Sequence, residues 1–354
     1  VVPEFCLRQQ DEEWHNCVRP ISKERPMPTV YIPDPVDSLM PFAEERAAAE
    51  AAGAELVLGD GANPQIRDAE VILTTWIRFP PEAIHALERC RLIVRYGIGV
   101  DTIDLAAASA CGIVVGNAPT YCMHEVADHT AGLALSLARR IPWLDREVRA
   151  GNWASVQQHM WGVRRLSSLT LGIVGLGKIG RLFAQRMAPF GFRMLGYDPF
   201  LSDEQIAALG VTPTTLDELL RQADLVSLHV PLTPQTRQLI SAERLRLMQP
   251  SAAIINTSRG PVIDEAALID ALRENRLFGA ALDVLEAEPP AADHPLLALD
   301  PQRVILTPHF AASSEQIGPD VHREVSAAVA AVLAGRWPPS VMNPGVVPKQ
   351  PLTH

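Results

Sequence analysis

A chain of 354 residues, 47% of them apolar and 20% charged, is long enough for two domains that each bury a core without staples. Its formal net charge of -10 argues against a global field for nucleic acid or an anionic membrane, and no apolar run reaches the roughly 18 residues of a membrane span. The five cysteines (Cys6, Cys17, Cys90, Cys111, Cys122) show neither a C-x-x-C pair nor zinc-ligand spacing; with no signal-peptide pattern at the N-terminus, the expectation is a cytoplasmic protein with reduced thiols and no metal.

In chain order, residues 1–27 are polar, mixed in charge and aperiodic, an arm or a remnant outside the fold. A short β-type run, Thr29–Ile32, is closed by Pro33 and Asp34, and an alanine-rich helical stretch from Phe42 to Ala52 stops at Gly53. Further short segments alternate strand with helix: Glu55–Leu58, Val71–Thr74, Pro81–Ala86, Leu92–Arg95, Leu105–Ala110 and Ile113–Val115. That alternation predicts a parallel sheet with helices on its faces. A helix from Glu125 to Arg140 carries small and apolar residues at most positions, so more than one of its faces is expected to be buried, at a subunit interface among other places. After a loop through Gly151, Trp153 and Trp161, a second βα series begins, with strands at Leu171–Val174, Arg193–Tyr197, Leu225–Leu228, Ala253–Asn256, Gly279–Asp283 and Val304–Leu306. A helical segment from Glu315 to Ala334 ends at Gly335 and Pro338.

The second series opens on Leu171-Gly-Ile-Val-Gly175-Leu-Gly177-Lys178-Ile179-Gly180, an apolar strand running into G-x-G-x-x-G and then a helix. Gly175 permits the tight turn, Gly177 lets backbone amides approach a pyrophosphate, and Gly180 allows close helix–strand packing. The amides of Lys178, Ile179 and Gly180 then open a helix whose N-terminus suits phosphate. Asp198 ends the next strand, where an acid accepts from the adenosine ribose hydroxyls and repels a 2′-phosphate. A bare glycine turn followed by a turn aspartate is a poor alternative in this context, so the pattern predicts NAD.

Three segments lie just past later strands, the edge where open α/β sheets hold ligands. Arg259 follows Ile255-Asn256-Thr257-Ser258, acids from Asp283 to Glu288 lie at the end of an apolar strand, and His309 follows Thr307-Pro308. Each alone reads as a surface arginine, a solvated acidic turn or a capping histidine. Together they supply a planar donor fork for a carboxylate, a proton donor suited to neutral pH, and an acid to favour its charged form.

In this order and spacing, the segments resemble the D-isomer-specific 2-hydroxyacid dehydrogenases over roughly residues 29 to 340. The resemblance takes in Arg95-Tyr96-Gly97-Ile98-Gly99-Val100-Asp101, Glu125-Val-Ala-Asp-His-Thr130, Gly151-Asn-Trp153 and His229-Val230-Pro231-Leu-Thr233 with Thr236. It implies that Arg259 binds the substrate carboxylate and carbonyl oxygen, that His309 is the acid/base and that Glu288 is its partner. It implies further that Val230, Pro231, Thr236 and Thr257 to Arg259 line the cofactor, that Asp283 accepts from the nicotinamide carboxamide, and that backbone amides from Tyr96 to Gly99 meet the substrate carboxylate. The expected fold is a Rossmann-type doubly wound domain (121–309) inserted into a flavodoxin-like substrate domain (28–120 and 310–354), with hinges near residues 120 and 310. The expected function is NAD-dependent interconversion of a small 2-keto acid and a D-2-hydroxy acid by a cytoplasmic homodimer, with neither nucleic acid nor membrane as partner.

Two departures bear on specificity. Phe310-Ala-Ala312 stands where many members have a small residue or isoleucine and then glycine after the histidine, and the substrate-side loop carries Trp76 and Arg78. Trp76 is more often buried scaffold than pocket wall, and Arg78 more often a plain surface cation than a reader of a second anionic group. The Tyr197 to Asp203 and Arg95 to Asp101 runs also resemble the C-terminal-binding corepressors, which implies an NAD-sensing scaffold as the competing class. A third reading is a dehydrogenase of a small anion such as phosphite or formate.

Overall fold

A computed structural model of the chain describes residues 27–34, 42–59, 64–158 and 163–354. Residues 1–26, which include nearly all of the expected arm with Cys6 and Cys17, lie outside the described residues, as does Trp161. Two parallel sheets divide the rest. The first has the order β2-β1-β3-β4-β5, built from β1 (Thr29–Ile32), β2 (Glu55–Leu58), β3 (Val71–Thr74), β4 (Leu92–Arg95) and β5 (Val114–Asn117). This is the flavodoxin-like 2-1-3-4-5 order. The second has the order β12-β11-β10-β9-β6-β7-β8, from β6 (Thr170–Val174), β7 (Arg193–Tyr197), β8 (Thr212–Pro213), β9 (Leu225–Leu228), β10 (Ala253–Asn256), β11 (Gly279–Leu282) and β12 (Val304–Leu306). Counted from β6, that is the 3-2-1-4-5-6 Rossmann order with one added strand.

Strands β3, β4, β5, β9, β10 and β11 are buried throughout, which is why they read as continuous apolar runs. Helix starts carry side-chain caps where the chain must turn: Asp104 for α3 (Leu105–Ala110), Thr215 for α9 (Leu216–Gln222) and Asp264 for α11 (Glu265–Arg273). The helix expected from Glu125 is α4 (Met123–Arg139). Its apolar stripe, Val126, Ala127, Thr130, Leu133, Ala134 and Leu137, is buried within its own chain, while Asp128, Gly132 and Arg139 are exposed on the other side. The stretch read as a loop holds two short helices, α5 (Ile141–Arg149) and α6 (Trp153–Gln157), neither of which buries a residue.

After β12 the chain returns to the first sheet, where α12 (Ile317–Leu333) packs on β4, β5 and the alanine-rich α1 (Ala43–Ala51). The final segment is tied there too: Asn343 Oδ1 accepts from the Val115 N–H at 2.9 Å and its Nδ2 donates to Ile113 O at 2.9 Å. Among the described residues no helix is long and apolar enough to cross a membrane.

Candidate active site

A cleft of about 1550 Å³ runs between the two sheets, roomier than the ~300–1,000 Å³ of a typical small-ligand pocket. Its floor on the Rossmann side is the crevice between β6 and β9, where the strand order reverses.

The glycine loop is built as the fingerprint predicts. Gly175 has φ +90°, and a Cβ on Gly180 would sit 2.1 Å from Gly175 O, so both positions exclude side chains. At Gly177 a Cβ would meet nothing within 4 Å, and Gly177 caps α7 (Lys178–Met187) with no side-chain hydrogen bond. The open space and uncapped amides suit a pyrophosphate. Gly177, Lys178 and Ile179 line the cleft. Asp198 Oδ2 accepts from the Leu176 N–H at 2.8 Å and Oδ1 from the Phe200 N–H at 2.9 Å, which fixes the carboxylate beside the loop with a lone pair left on each oxygen. These residues fit a bound dinucleotide.

Val230, Pro231, Thr257 and Ser258 also line the cleft, whereas Thr236 does not. Thr236 Oγ1 donates to Pro231 O at 2.5 Å and accepts from the Thr233 N–H at 2.8 Å, closing the loop that presents Val230 and Pro231. His229, beside them and packed on Phe183 with ring centroids 4.9 Å apart, is pushed down to about 3 by burial and stands there as a neutral ring.

Arg259, Asp283 and His309 converge from the ends of β10, β11 and β12. Asn256 shapes the turn before Arg259, with Oδ1 accepting from the Ser258 N–H at 3.0 Å and Nδ2 donating to Arg259 O at 2.9 Å. The Arg259 guanidinium donates through Nε to Asp101 Oδ1 at 3.0 Å and through Nη1 to Ser258 O at 2.8 Å. His309 holds φ +52°, and its Nδ1 lies 2.7 Å from Glu288 Oε2. Burial alone would raise the Glu288 carboxyl; the His309 hydrogen bond and charge, the Leu285 N–H and nearby Arg259 outweigh it and hold Glu288 below the usual carboxylate range.

Asp283 is almost wholly buried, and its acceptor positions are largely engaged within the chain. Oδ1 takes the Thr307 hydroxyl at 2.5 Å and the Phe310 N–H at 2.8 Å, and Oδ2 takes the Ala311 N–H at 2.9 Å. It clamps the segment bearing His309, and its own side chain is wholly shielded although the residue borders the cleft.

The first sheet supplies the opposite wall. The Tyr96 and Gly97 N–H groups are engaged by Thr74 O and Arg95 O at 2.9 Å each, which narrows the anion-facing amides to those of Ile98 and Gly99. The Tyr96 hydroxyl donates away from the cleft, to the buried Glu45 at 3.1 Å. Gly99 lies so close to Arg259 that a Cβ would fall 2.1 Å from Nη2. Trp76 is wall and not scaffold: it is 60% exposed, lines the cleft and stands edge-on to the His309 ring, with centroids 6.2 Å apart. Arg78, also exposed, lines the same mouth.

Three supporting residues went unread in the sequence. Asp34 Oδ2 accepts from the Thr75, Trp76 and Ile77 N–H groups at 3.0, 2.5 and 3.0 Å, setting the Trp76 loop. The buried Arg95 donates to Thr75 O at 3.2 Å and Gly99 O at 2.8 Å, and Asn117 Nδ2 donates to Ile98 O at 2.7 Å. Asp34, Arg95 and Asn117 all stand at or just past strand C-termini, the same positional signal that found Arg259 and His309.

Comparison with known proteins agrees with this geometry. Residues 131–311 match the family model for the D-isomer specific 2-hydroxyacid dehydrogenase, NAD binding domain. The chain is 40% identical over 290 residues to a D-3-phosphoglycerate dehydrogenase of Methanocaldococcus jannaschii, covering 81% of this chain and 54% of that protein. It therefore spans about half the length of the phosphoglycerate dehydrogenases it matches. It is 39% identical to a glyoxylate reductase of Korarchaeum cryptofilum over 76% of this chain and 81% of that one. Among solved structures, a D-lactate dehydrogenase from Aquifex aeolicus complexed with NAD and lactic acid superposes with a TM-score of 0.78 at 30% identity, over 87% of this chain and 96% of that one. With the NAD-binding domain matched, relatives aligned over most of their length and both sheets in the expected order, the chain belongs to the D-isomer-specific 2-hydroxyacid dehydrogenase family.

Proposed function

We propose that the chain interconverts a small 2-keto acid and the D-2-hydroxy acid with NAD as redox partner. The observation that carries this reading is the 2.7 Å His309–Glu288 pair facing Arg259 in one cleft with the glycine loop. When bound, the nicotinamide supplies or accepts the hydride at C2. Arg259 binds the substrate carboxylate and polarises the carbonyl through its terminal nitrogens, and the Ile98 and Gly99 amides meet the same carboxylate. Glu288 engages Nδ1, which leaves His309 Nε2 to give a proton to the oxygen during reduction and to take it back during oxidation. Trp76 walls the pocket beside His309 and meets the substrate side chain. The segments 28–120 and 310–354 act as the substrate domain and 121–309 as the cofactor domain.

The chain further acts as a homodimer. Ile141, Val148 and Trp153, on and beside α5, are 53%, 41% and 62% exposed, and a second copy covers them.

The test is NADH oxidation with glyoxylate, pyruvate, hydroxypyruvate and phenylpyruvate. At least one is reduced, His309→Ala loses roughly 10²–10⁴-fold in kcat, the usual scale for a positioned acid/base, and NADH binding by fluorescence stays intact. Arg259→Lys raises KM and lowers kcat together, because a point charge cannot replace the fork. Wild-type protein that binds NADH yet reduces no 2-keto acid would sink the proposal.

A further inference from the structure

Arg259 and Asp101 come from different sheets. Arg259 ends the turn after β10 of the Rossmann sheet, and Asp101 lies in the loop after β4 of the first sheet. Their contact, Nε to Oδ1 at 3.0 Å, crosses the cleft, and each side chain is largely shielded, at 21% and 25% exposure. Within its own domain, among the described residues, the guanidinium's one hydrogen bond is to the Ser258 carbonyl, at 2.8 Å from Nη1. One contact leaves the planar fork free to rotate about that bond, whereas two contacts on different nitrogens fix the plane. With Nε and one Nη1 hydrogen engaged, the terminal edge bearing Nη2 is the edge left to grip a carboxylate, and it lies against Gly99.

We propose, building on the reading that Arg259 binds the substrate carboxylate, that Asp101 is a positioning residue: it reaches across the cleft to hold the Arg259 guanidinium by Nε, so that the substrate-binding edge is set only when the two sheets close. Asp101 is suited to this. Burial works against its charge, but Arg259 first and Arg95 after it hold the carboxyl below the usual range, so it stays an anion wherever the protein is folded at ordinary pH. Its own loop is held rigid, since Arg95 donates to Gly99 O at 2.8 Å and Asn117 to Ile98 O at 2.7 Å. The same loop offers the Ile98 and Gly99 amides, so the closure that orients Arg259 also completes the carboxylate site.

The test is a double-mutant cycle with glyoxylate, pyruvate and hydroxypyruvate as keto acids. Asp101→Ala lowers kcat/KM by about 10²-fold, the scale of a misplaced binding group, with KM raised and with the NADH Kd and Tm within error of wild type. Asp101→Asn, which keeps an oxygen for Nε, recovers part of the loss. In the Arg259→Lys background, where there is no plane to orient, Asp101→Ala costs little further. Three results overturn the inference: wild-type kinetics for Asp101→Ala, a lower KM (Asp101 then competes with substrate), or an equal loss in both backgrounds, the mark of a purely structural residue. Failure of the underlying reading looks different: Arg259→Lys itself is then as active as wild type.

Discussion

His309 sits in the left-handed region at φ +52°, a conformation that costs a non-glycine residue about 1–3 kcal/mol and persists only when its surroundings over-determine it. Asp283 does this from both ends. Its carbonyl accepts the His309 N–H at 2.8 Å, and its carboxylate takes the next two N–H groups and the Thr307 hydroxyl. His129 of α4 supports the arrangement from behind, 3.1 Å from Thr307 Oγ1. The ring is thereby aimed, and Glu288 sets its electrostatics. Because Glu288 is held below the usual carboxylate range, it stays ionised down to lower pH than a free glutamate, and the imidazole faces a negative charge across the working range. Glu288→Gln removes that charge, so the positive form of the ring is less favoured. Reduction, which needs the proton on the ring, then fails at lower pH than in wild type, and oxidation, which needs it absent, begins at lower pH. Profiles of kcat/KM in both directions check this, and superimposable profiles would mean the dyad is wrongly assigned. The residues proposed to carry the chemistry were legible because polar groups at the ends of apolar strands stand out. Asp34, Arg95 and Asn117 stand at the same kind of position, but their roles were not legible, because a polar residue that holds a loop is defined by its partners, and these, such as Thr75 for Asp34, lie far off in the chain.

At the scale of elements, the β6–α7–β7 unit couples the glycine loop to Asp198. The acid does two things at once: it accepts from Leu176 within the Gly175–Gly177 turn, and it leaves a lone pair on each oxygen for a ribose hydroxyl. NAD is therefore expected to bind more tightly than NADP, whose 2′-phosphate would meet this carboxylate. Asp198→Ala should weaken NADH by roughly 10- to 100-fold, hydrogen bonds to a charged acceptor contributing about 1.5–3 kcal/mol, and should narrow the gap to NADPH. Equal NADH and NADPH affinities in the wild type, by fluorescence titration, would refute this role. Strands and their order were readable because buried parallel strands are short apolar runs punctuated by turns. Helix α5 was not: its N-cap, Arg140, lies in the left-handed region at φ +57° and gives no side-chain cap, which leaves Pro142 in the first turn to mark the start without a Ser, Thr, Asp or Asn cap before it. Small residues on α4 such as Ala131 and Gly132 do not reveal in sequence whether they are covered within the chain or by a second copy.

For the whole molecule, the site exists only where the two sheets meet, and neither half holds it alone. Trp76 stands against His309 and Asp101 against Arg259 across the same cleft. On the Rossmann half, α4 packs against the sheet, α5 packs on α4, and α6 packs on α5. A nine-residue helix that buries no residue cannot hold itself by propensity, since isolated helices shorter than ~12–15 residues are marginal in water. Its exposed apolar side chains, with Trp153 just beyond, lack a covering surface within the described residues, and in the proposed homodimer an isologous pairing with the same patch of a second copy would supply it. Light scattering at micromolar concentration should give twice the chain mass. Val148→Glu combined with Trp153→Glu, which places two charges in the expected seam, should give a monomer with lowered Tm and impaired turnover. Leu297→Glu, at an exposed apolar position away from α5, should leave the dimer intact. If the wild type itself runs at one chain mass, the α5 patch is covered by no second copy and the dimer proposal falls. If the Val148→Glu/Trp153→Glu double variant stays dimeric, the seam lies elsewhere on the chain.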